Sequence, residues 1–228
     1  MTSLASRLAE VDERIAAAAR SAGRSPAELT RIVVTKFHPA SLVAELHALG
    51  VRDVGENRQQ ELTAKRAELD GLSGLRWHAI GQVQTKKARA VRRAADAVHS
   101  VDRVRLVDAL ERAAESGDAP LDVFAQVNLT DDPGRGGAAP ADLEALAEAI
   151  VSSPSLRLVG TMAVAPLEEH PAVAFERLAA HAARVRSIAP DAAAISAGMS
   201  HDFAEAVAAG ATHLRIGTAI TGQRPSRD

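Results

Sequence analysis

Cysteine and tyrosine are absent from this sequence of 228 residues, and other aromatic residues are scarce, with one tryptophan and four phenylalanines. The lack of cysteine excludes disulfides, thiolate metal ligands and a cysteine nucleophile. The lack of tyrosine removes a common phenolic acid/base group, and few rings remain for stacking on nucleic acid. The two absences therefore exclude metalloproteins with thiolate ligands and enzymes that use a cysteine nucleophile or a tyrosine acid/base.

Signals for membranes, export and metals are also missing. No apolar run approaches the roughly 20 residues that cross a bilayer. The acidic residues Glu10, Asp12 and Glu13 make the start of the chain unlike a secretory or transit peptide. The eight histidines form neither His-x-x-x-His nor His-Glu-x-x-His. With a net charge of −2, the sequence predicts a cytoplasmic protein that binds no metal, nucleic acid or membrane.

One basic stretch, residues 86–93, places five lysines and arginines on a predicted helix. We interpret it as the solvated outer face of that helix, because the net charge of the chain is acidic. Nucleic-acid binding is the alternative, and strong salt-dependent binding would support it.

Strand-like and Ala-rich helical segments alternate along the whole chain, after a first helix whose apolar face comprises Leu4, Leu8, Val11 and Ile15. The eight predicted strands are 31–36, 52–56, 75–81, 97–101, 121–128, 156–164, 193–197 and 213–217. Apolar strands joined by helical crossovers predict a parallel sheet. Eight such units predict a single (β/α)₈ TIM barrel over residues 1–228, with an extra N-terminal helix. The alternative is an open doubly wound sheet, but its Gly-x-Gly-x-x-Gly motif is absent.

In a barrel of this kind the active site lies at the carboxyl ends of the strands. Lys36 ends an otherwise apolar strand, Asn57 follows the second strand, and Met162 lies late in the sixth. A lysine in this position either extends to solvent, or is desolvated and forms a Schiff base with a carbonyl. Lys36 is therefore a candidate covalent residue.

The last two strand ends predict a phosphate site, formed by Gly198, Ser200, Gly217, Thr218 and Gly222. Glycines allow close approach of the backbone to an anion, and N–H groups at a helix start favour negative charge. Ser200 also suits the N-cap of the helix that follows, and a cap is compatible with a phosphate ligand. Arg215, within an apolar run, needs an acceptor if it is buried and otherwise lies at the surface.

A lysine, a phosphate site and an arginine together suggest pyridoxal 5′-phosphate (PLP), which has both an aldehyde and a phosphate. At these residues the chain resembles the pyridoxal phosphate homeostasis protein family, which is similar to the alanine racemase barrel domain. The matching segments are Val33-Val-Thr-Lys36, Val54-Gly-Glu-Asn57, Trp77-His-Ala-Ile-Gly-Gln82, Gly160-Thr-Met-Ala163, Gly198-Met-Ser200 and Arg215-Ile-Gly-Thr-Ala-Ile-Thr-Gly222.

The resemblance implies a role for each matching residue. Lys36 would hold the PLP aldehyde as an aldimine, and Arg215 would face the pyridine nitrogen. Ser200 and the backbone of Gly217 and Thr218 would bind the phosphate. Two more residues would lie near the ring, namely Asn57 and Met162. Lys86 and Arg135 depart from the family pattern, which leaves any role of their loops open.

Our leading hypothesis is a PLP carrier without robust turnover that passes the cofactor on, with PLP-dependent apoenzymes as its expected partners. The alternatives are a PLP-dependent amino-acid racemase of fold type III and a cofactor-independent class I aldolase. A two-base racemase needs an acid/base group on each face of the substrate carbon. In alanine racemase the second base is a tyrosine, which this chain lacks. Monomer and weak dimer both remain open.

Overall fold

The computed structural model describes residues 2–132 and 134–223, and eight parallel strands close into a barrel. Each strand pairs with the next along the chain, and the first pairs with the last, so the predicted (β/α)₈ barrel is confirmed. The strands are β1 Thr30–Val34, β2 Asp53–Glu56, β3 Arg76–Ala79, β4 Ala97–Val101, β5 Leu121–Gln126, β6 Leu156–Met162, β7 Ala194–Ser196 and β8 His213–Ile216.

Helices cover the outside of this barrel. They are α1 Leu4–Ser21, α2 Ala40–Ala48, α3 Gln59–Glu68, α4 Ala88–Ala94, α5 Val104–Arg112, α6 Leu143–Val151, α7 Pro171–Ile188, α8 Phe203–Ala208 and α9 Thr218–Thr221, with short 3₁₀ helices at Pro26–Glu28 and Thr85–Lys87. The extra N-terminal helix is α1, and its predicted apolar face is buried. Arg7 Nε donates to the Ile220 carbonyl at 2.7 Å, which ties α1 to the chain's last helix described. No helix in the described residues is long and apolar enough to cross a membrane.

Several strands end one or two residues earlier than the sequence predicted. β1 ends at Val34 rather than residue 36, because the chain turns at Lys36 and Phe37, and Phe37 has a φ of 70°. β5 ends at Gln126 and β8 at Ile216, so the polar residues that follow belong to loops. Candidate site residues therefore lie just beyond the strands, at the carboxyl-end mouth of the barrel.

The barrel interior contains an unusual set of rings. The His99 ring stacks on Phe124 with centroids 4.2 Å apart, and the His213 ring meets Phe124 edge-on at 5.2 Å. His78 meets His99 edge-on at 5.1 Å. Histidines therefore occupy positions that branched aliphatic residues fill in most barrels of this type.

The basic stretch at residues 86–93 is paired with acidic residues. Arg89 and Arg93 both form ion pairs with Glu115, which follows α5. The buried Arg92 lies 3.4 Å from Asp118 and donates to the Ser155 carbonyl at 3.2 Å. These contacts favour a structural role for the stretch, and the absence of nucleic-acid binding stays a prediction.

Candidate functional site

Lys36 lies in the turn immediately after β1, and its neighbours hold this turn from two sides. Lys65 Nζ donates to the Thr35 carbonyl at 2.8 Å, and the Phe37 amide donates to Glu61 Oε2 at 2.7 Å. The Lys36 side chain is exposed, with Nζ 5.9 Å from the centroid of the Phe37 ring. The structure thus places this lysine in solvent at the mouth, on a fixed backbone, rather than in a desolvated pocket.

A buried ion pair supports the same turn. Lys65 Nζ donates to Glu56 Oε1 at 2.6 Å, and Thr35 Oγ1 donates to the same oxygen at 2.6 Å. Burial raises the pKa of Glu56, while the hydrogen bonds from Lys65 and Thr35 oppose that shift. The other oxygen, Glu56 Oε2, is buried without a hydrogen-bond partner among the described residues. Lys65 is not predicted as a buried residue from the sequence, because a lysine on a polar helix is normally solvent-exposed.

Ser200 connects the loops that follow β7 and β8. Its side chain is buried, and Oγ accepts a hydrogen bond from the Ala219 amide at 3.4 Å. The expectation that Ser200 caps the next helix is wrong. The N-cap of α8 is Asp202, and Oδ1 of Asp202 accepts from the Met199 amide at 2.5 Å. Ser200 is therefore directed to the start of α9.

Two glycines of the predicted phosphate site, Gly198 and Gly217, shape this region. Gly198 has a φ of +86°, and a Cβ there would lie 2.7 Å from Ala206 Cβ and 2.9 Å from Phe203 Cα. Gly217 is the N-cap of α9, and Thr218 is the first residue of that helix. Ser200 thus lies beside the N-terminus of α9, where the chain turns at a glycine.

Arg215 is buried inside the barrel on β8, which excludes the surface alternative. Nη1 donates to Ser196 Oγ at 2.6 Å, and Nη2 donates to the Ala163 carbonyl at 2.9 Å. Each of these nitrogens carries a second N–H beyond the one in that bond. Burial lowers the pKa of Arg215 to about 10, against the opposing charge of Asp202, so the guanidinium stays charged at neutral pH.

The remaining two candidates lie at the same end of the barrel. Met162 ends β6, is buried, and pairs in register with Ser196 on β7, so it shares the interior face. Asn57 follows β2, and its carbonyl oxygen would lie 2.1 Å from a Cβ at Gly81. The seven residues to which the resemblance assigns a role are therefore at or just past the carboxyl ends of strands.

A cleft of about 510 Å³ lies beside the mouth, among the residues that follow β2 and β3. Asn57, Gly81 and Lys87 contribute to its walls, whereas Lys36, Ser200 and Arg215 do not. Lys36, Ser200 and Arg215 thus belong to the open mouth, and of the residues with predicted roles only Asn57 also lines this cleft. Within the described part of the chain, no group of three or more histidine and acidic side chains is arranged to hold a metal ion.

Comparisons with known proteins identify the family to which this barrel belongs. The family model for the alanine racemase N-terminal domain matches residues 7–225. The pyridoxal phosphate homeostasis protein of Pseudomonas aeruginosa is 43% identical over 98% of this chain and 97% of its own length. The chain belongs to the pyridoxal phosphate homeostasis protein family.

Solved structures extend the comparison within and beyond this family. The structure of PipY from Synechococcus elongatus PCC7942 with PLP bound has a TM-score of 0.84 and 36% identity, covering 96% of this chain and 100% of that one. Alanine racemase from Corynebacterium glutamicum matches with a TM-score of 0.68 and 15% identity, covering 95% of this chain and 61% of that one. At that identity the likeness to the racemase shows the fold alone. The predicted barrel type and family resemblance are confirmed.

Proposed function

We propose that this protein binds PLP at the mouth of the barrel, takes part in PLP homeostasis, and passes the cofactor on with little or no turnover. The observation that carries the proposal is the juxtaposition of β1 and β8, which pair directly through Ile32 and Arg215. Lys36 follows the first of these strands, and Gly217 and Thr218 follow the second. An amine, a buried guanidinium and a helix start are thereby brought to one edge of the barrel.

The lysines of the chain favour one point of covalent attachment. The sequence has four, Lys36, Lys65, Lys86 and Lys87. Lys65 is committed to a buried ion pair with Glu56. Lys86 and Lys87 belong to the 3₁₀ helix after β3, and Lys87 lines the neighbouring cleft. Only Lys36 combines exposure with a place beside β8, so we assign the bond to the PLP aldehyde to Lys36 Nζ.

The other candidates fit a phosphate and a pyridine ring. The Ser200 hydroxyl and the backbone N–H groups of Gly217 and Thr218 supply neutral donors for the phosphate. Arg215 is assigned to the pyridine nitrogen, and Asn57 and Met162 are assigned to the sides of the ring. A charged guanidinium donates to that nitrogen and discourages its protonation. Bound PLP supplies a reactive aldehyde and an electron-withdrawing ring, and the ring withdraws less when its nitrogen is unprotonated.

Carriage is favoured over racemisation by the residues available at the mouth. Racemisation with two bases requires an acid/base group on each face of the reacting carbon. The chain contains no tyrosine or cysteine for such a role. The names of the relatives describe PLP homeostasis, and the PipY structure contains PLP. We therefore propose PLP-dependent apoenzymes as the recipients of the cofactor. We also propose that residues 1–228 form one PLP-binding domain and that the protein acts in the cytoplasm.

A titration with PLP tests this function. Wild-type protein is titrated with PLP and followed by absorbance, alongside Lys36→Ala and the control Lys86→Ala. We expect a new saturable absorbance band with the wild type and with the control, and none with Lys36→Ala. The loaded protein is then assayed for racemisation of several amino acids, for which we expect background rates. Rapid loss of optical activity that depends on Lys36 would replace the carrier by the racemase.

A further inference from the structure

A continuous line of hydrogen bonds crosses the interior of the barrel and ends at Arg215. Asp53 Oδ1 lies 2.9 Å from His78 Nε2, and His78 Nδ1 lies 2.9 Å from His99 Nε2. His99 Nδ1 lies 2.8 Å from Ser196 Oγ, which accepts the 2.6 Å bond from Arg215 Nη1. The line uses one side chain from each of five strands, β2, β3, β4, β7 and β8.

The chemistry of the end groups gives this line a direction. Arg215 can only donate, so Ser196 Oγ is an acceptor toward it. The Asp53 carboxylate can only accept, so His78 Nε2 carries a proton. A neutral His78 then accepts at Nδ1 from a protonated His99 Nε2. A neutral His99 in turn accepts at Nδ1 from the Ser196 hydroxyl, and every donor and acceptor along the line is satisfied.

The surroundings of His99 and Asp53 support a neutral ring for His99 and a charged carboxylate for Asp53. Its side chain is fully buried and stacks on Phe124. Burial holds the pKa of His99 well below its usual value, and the nearby charges of Arg215 and Arg76 add to this effect. For Asp53 burial would raise the pKa, but the hydrogen bond from His78 and nearby positive charge lower it overall, which keeps the carboxylate an acceptor.

A second arrangement requires an additional proton. If His78 carried a proton on both nitrogens, Nδ1 would donate to His99 Nε2, and His99 Nδ1 would donate to Ser196 Oγ. Ser196 would then accept from both His99 and Arg215, and its own hydrogen would lose the His99 acceptor. The two arrangements differ in which nitrogen of His99 carries its proton, so they can be distinguished by experiment.

We propose that His99 and Ser196 are positioning residues that hold the Arg215 guanidinium, with His99 neutral and protonated on Nε2. The Ser196 hydroxyl donates its hydrogen to His99 Nδ1, so the lone pairs of Ser196 Oγ face Arg215. The guanidinium is thereby fixed from inside the barrel, while its remaining N–H groups are left to an acceptor at the mouth. The assignment of that acceptor as the pyridine nitrogen rests on the proposed function.

The first test needs neither variant nor cofactor. Nitrogen-15 NMR of histidine-labelled protein reports which ring nitrogen of each histidine carries hydrogen. For the PLP-free protein at neutral pH we expect His99 to be neutral, with hydrogen on Nε2. A hydrogen on Nδ1, or a charged ring, would overturn the proposal, whatever the outcome of PLP binding.

The second test measures the effect on bound PLP. Ser196→Ala removes the acceptor of Arg215, and Ser153→Ala is the matched control. Ser153 is also a buried serine, and it donates to the Ala149 carbonyl on α6, outside the barrel interior. With Ser196→Ala we expect PLP still to attach to Lys36. The pH at which its absorbance titrates should rise by about one unit, since ring protonation is less opposed.

The outcomes separate the two proposals. A titration midpoint unchanged by Ser196→Ala would overturn the positioning role, while PLP attachment at Lys36 would stand. Absence of any bound-PLP absorbance in the wild type would overturn the proposed function, while the NMR result would still decide the state of His99. Ser153→Ala is expected to behave as the wild type in both measurements.

Discussion

The Lys65 ammonium and the Glu56 carboxylate form a buried ion pair of 2.6 Å, adjacent to the turn that carries Lys36. The same ammonium binds the Thr35 carbonyl. A pair in this position rarely adds net stability over apolar residues, but loss of one partner leaves an unpaired buried charge. Its contribution is to hold the backbone on which Lys36 is presented.

Replacing Lys65 with methionine is therefore expected to lower the free energy of unfolding by about 3–5 kcal/mol. The double variant Lys65→Met with Glu56→Gln should lose less than the single variant, because no buried charge remains. Urea denaturation of the wild type, both single variants and the double variant measures the coupling. Additive losses in the double variant would show that the two residues do not act as a pair.

Gly198 tests the backbone of the phosphate region. Gly198→Ala is expected to cost about 1–3 kcal/mol or more, because of its positive φ and the contacts with Ala206 and Phe203. The control is Gly71→Ala, where a Cβ would have no neighbour within 4 Å. Thermal unfolding of the two variants is compared with that of the wild type. Equal melting temperatures for the two variants would contradict this account of Gly198.

Ser200 tests the assignment of the phosphate. Ser200→Ala should weaken PLP binding by roughly 10- to 100-fold, the effect of losing one hydrogen bond to a charged group. Pyridoxal, which lacks the phosphate, should bind the wild type and the variant with similar affinity. Titrations of both proteins with both ligands give the comparison. An equal loss for PLP and pyridoxal would place the effect of Ser200 away from the phosphate.

The buried histidines predict how stability depends on pH. Burial lowers the pKa of His213 from 6.5 to about 4, with His78 and Arg76 adding to the shift and Asp53 and Asp122 opposing it. His99 is shifted in the same direction. Between about pH 6.5 and 4 the unfolded chain takes up protons that the folded chain does not. The free energy of unfolding should therefore decrease as the pH is lowered through this window, by about 1.4 kcal/mol per pH unit for each histidine.

Urea titrations at pH 7, 6, 5 and 4.5 measure that slope. His213→Gln should reduce it. The control is His47→Gln, since His47 lies on α2, outside the barrel interior, and contacts the Ser73 carbonyl. An unchanged slope in His213→Gln would show that His213 is not the group that titrates.

The sequence was sufficient for the barrel and for the place of most site residues. Continuous apolar strands between helices predict a closed parallel sheet, and residues after those strands must lie at its carboxyl end. Local patterns were less informative about where strands stop. The turn at Lys36 and Phe37 depends on the bonds to Lys65 and Glu61, which come from a distant helix. The capping role assigned to Ser200 was wrong because Asp202 occupies that position.

The interior line from Asp53 to Ser196 was not predicted, because its members come from separate strands and no spacing in the sequence joins them. One signal was present. His78, His99 and His213 each interrupt an apolar strand, and a polar residue facing a barrel interior needs a partner there. The partners themselves follow only from the register of the closed sheet.

The central claim is that Lys36 is the residue to which PLP attaches. The protein is loaded with PLP, reduced with borohydride, digested, and the modified peptide is mapped by mass spectrometry. The account predicts one modified lysine, Lys36, among the four in the chain, and no modified peptide from Lys36→Ala. Modification at Lys65, Lys86 or Lys87 in place of Lys36, or no modification of the wild type, would contradict it.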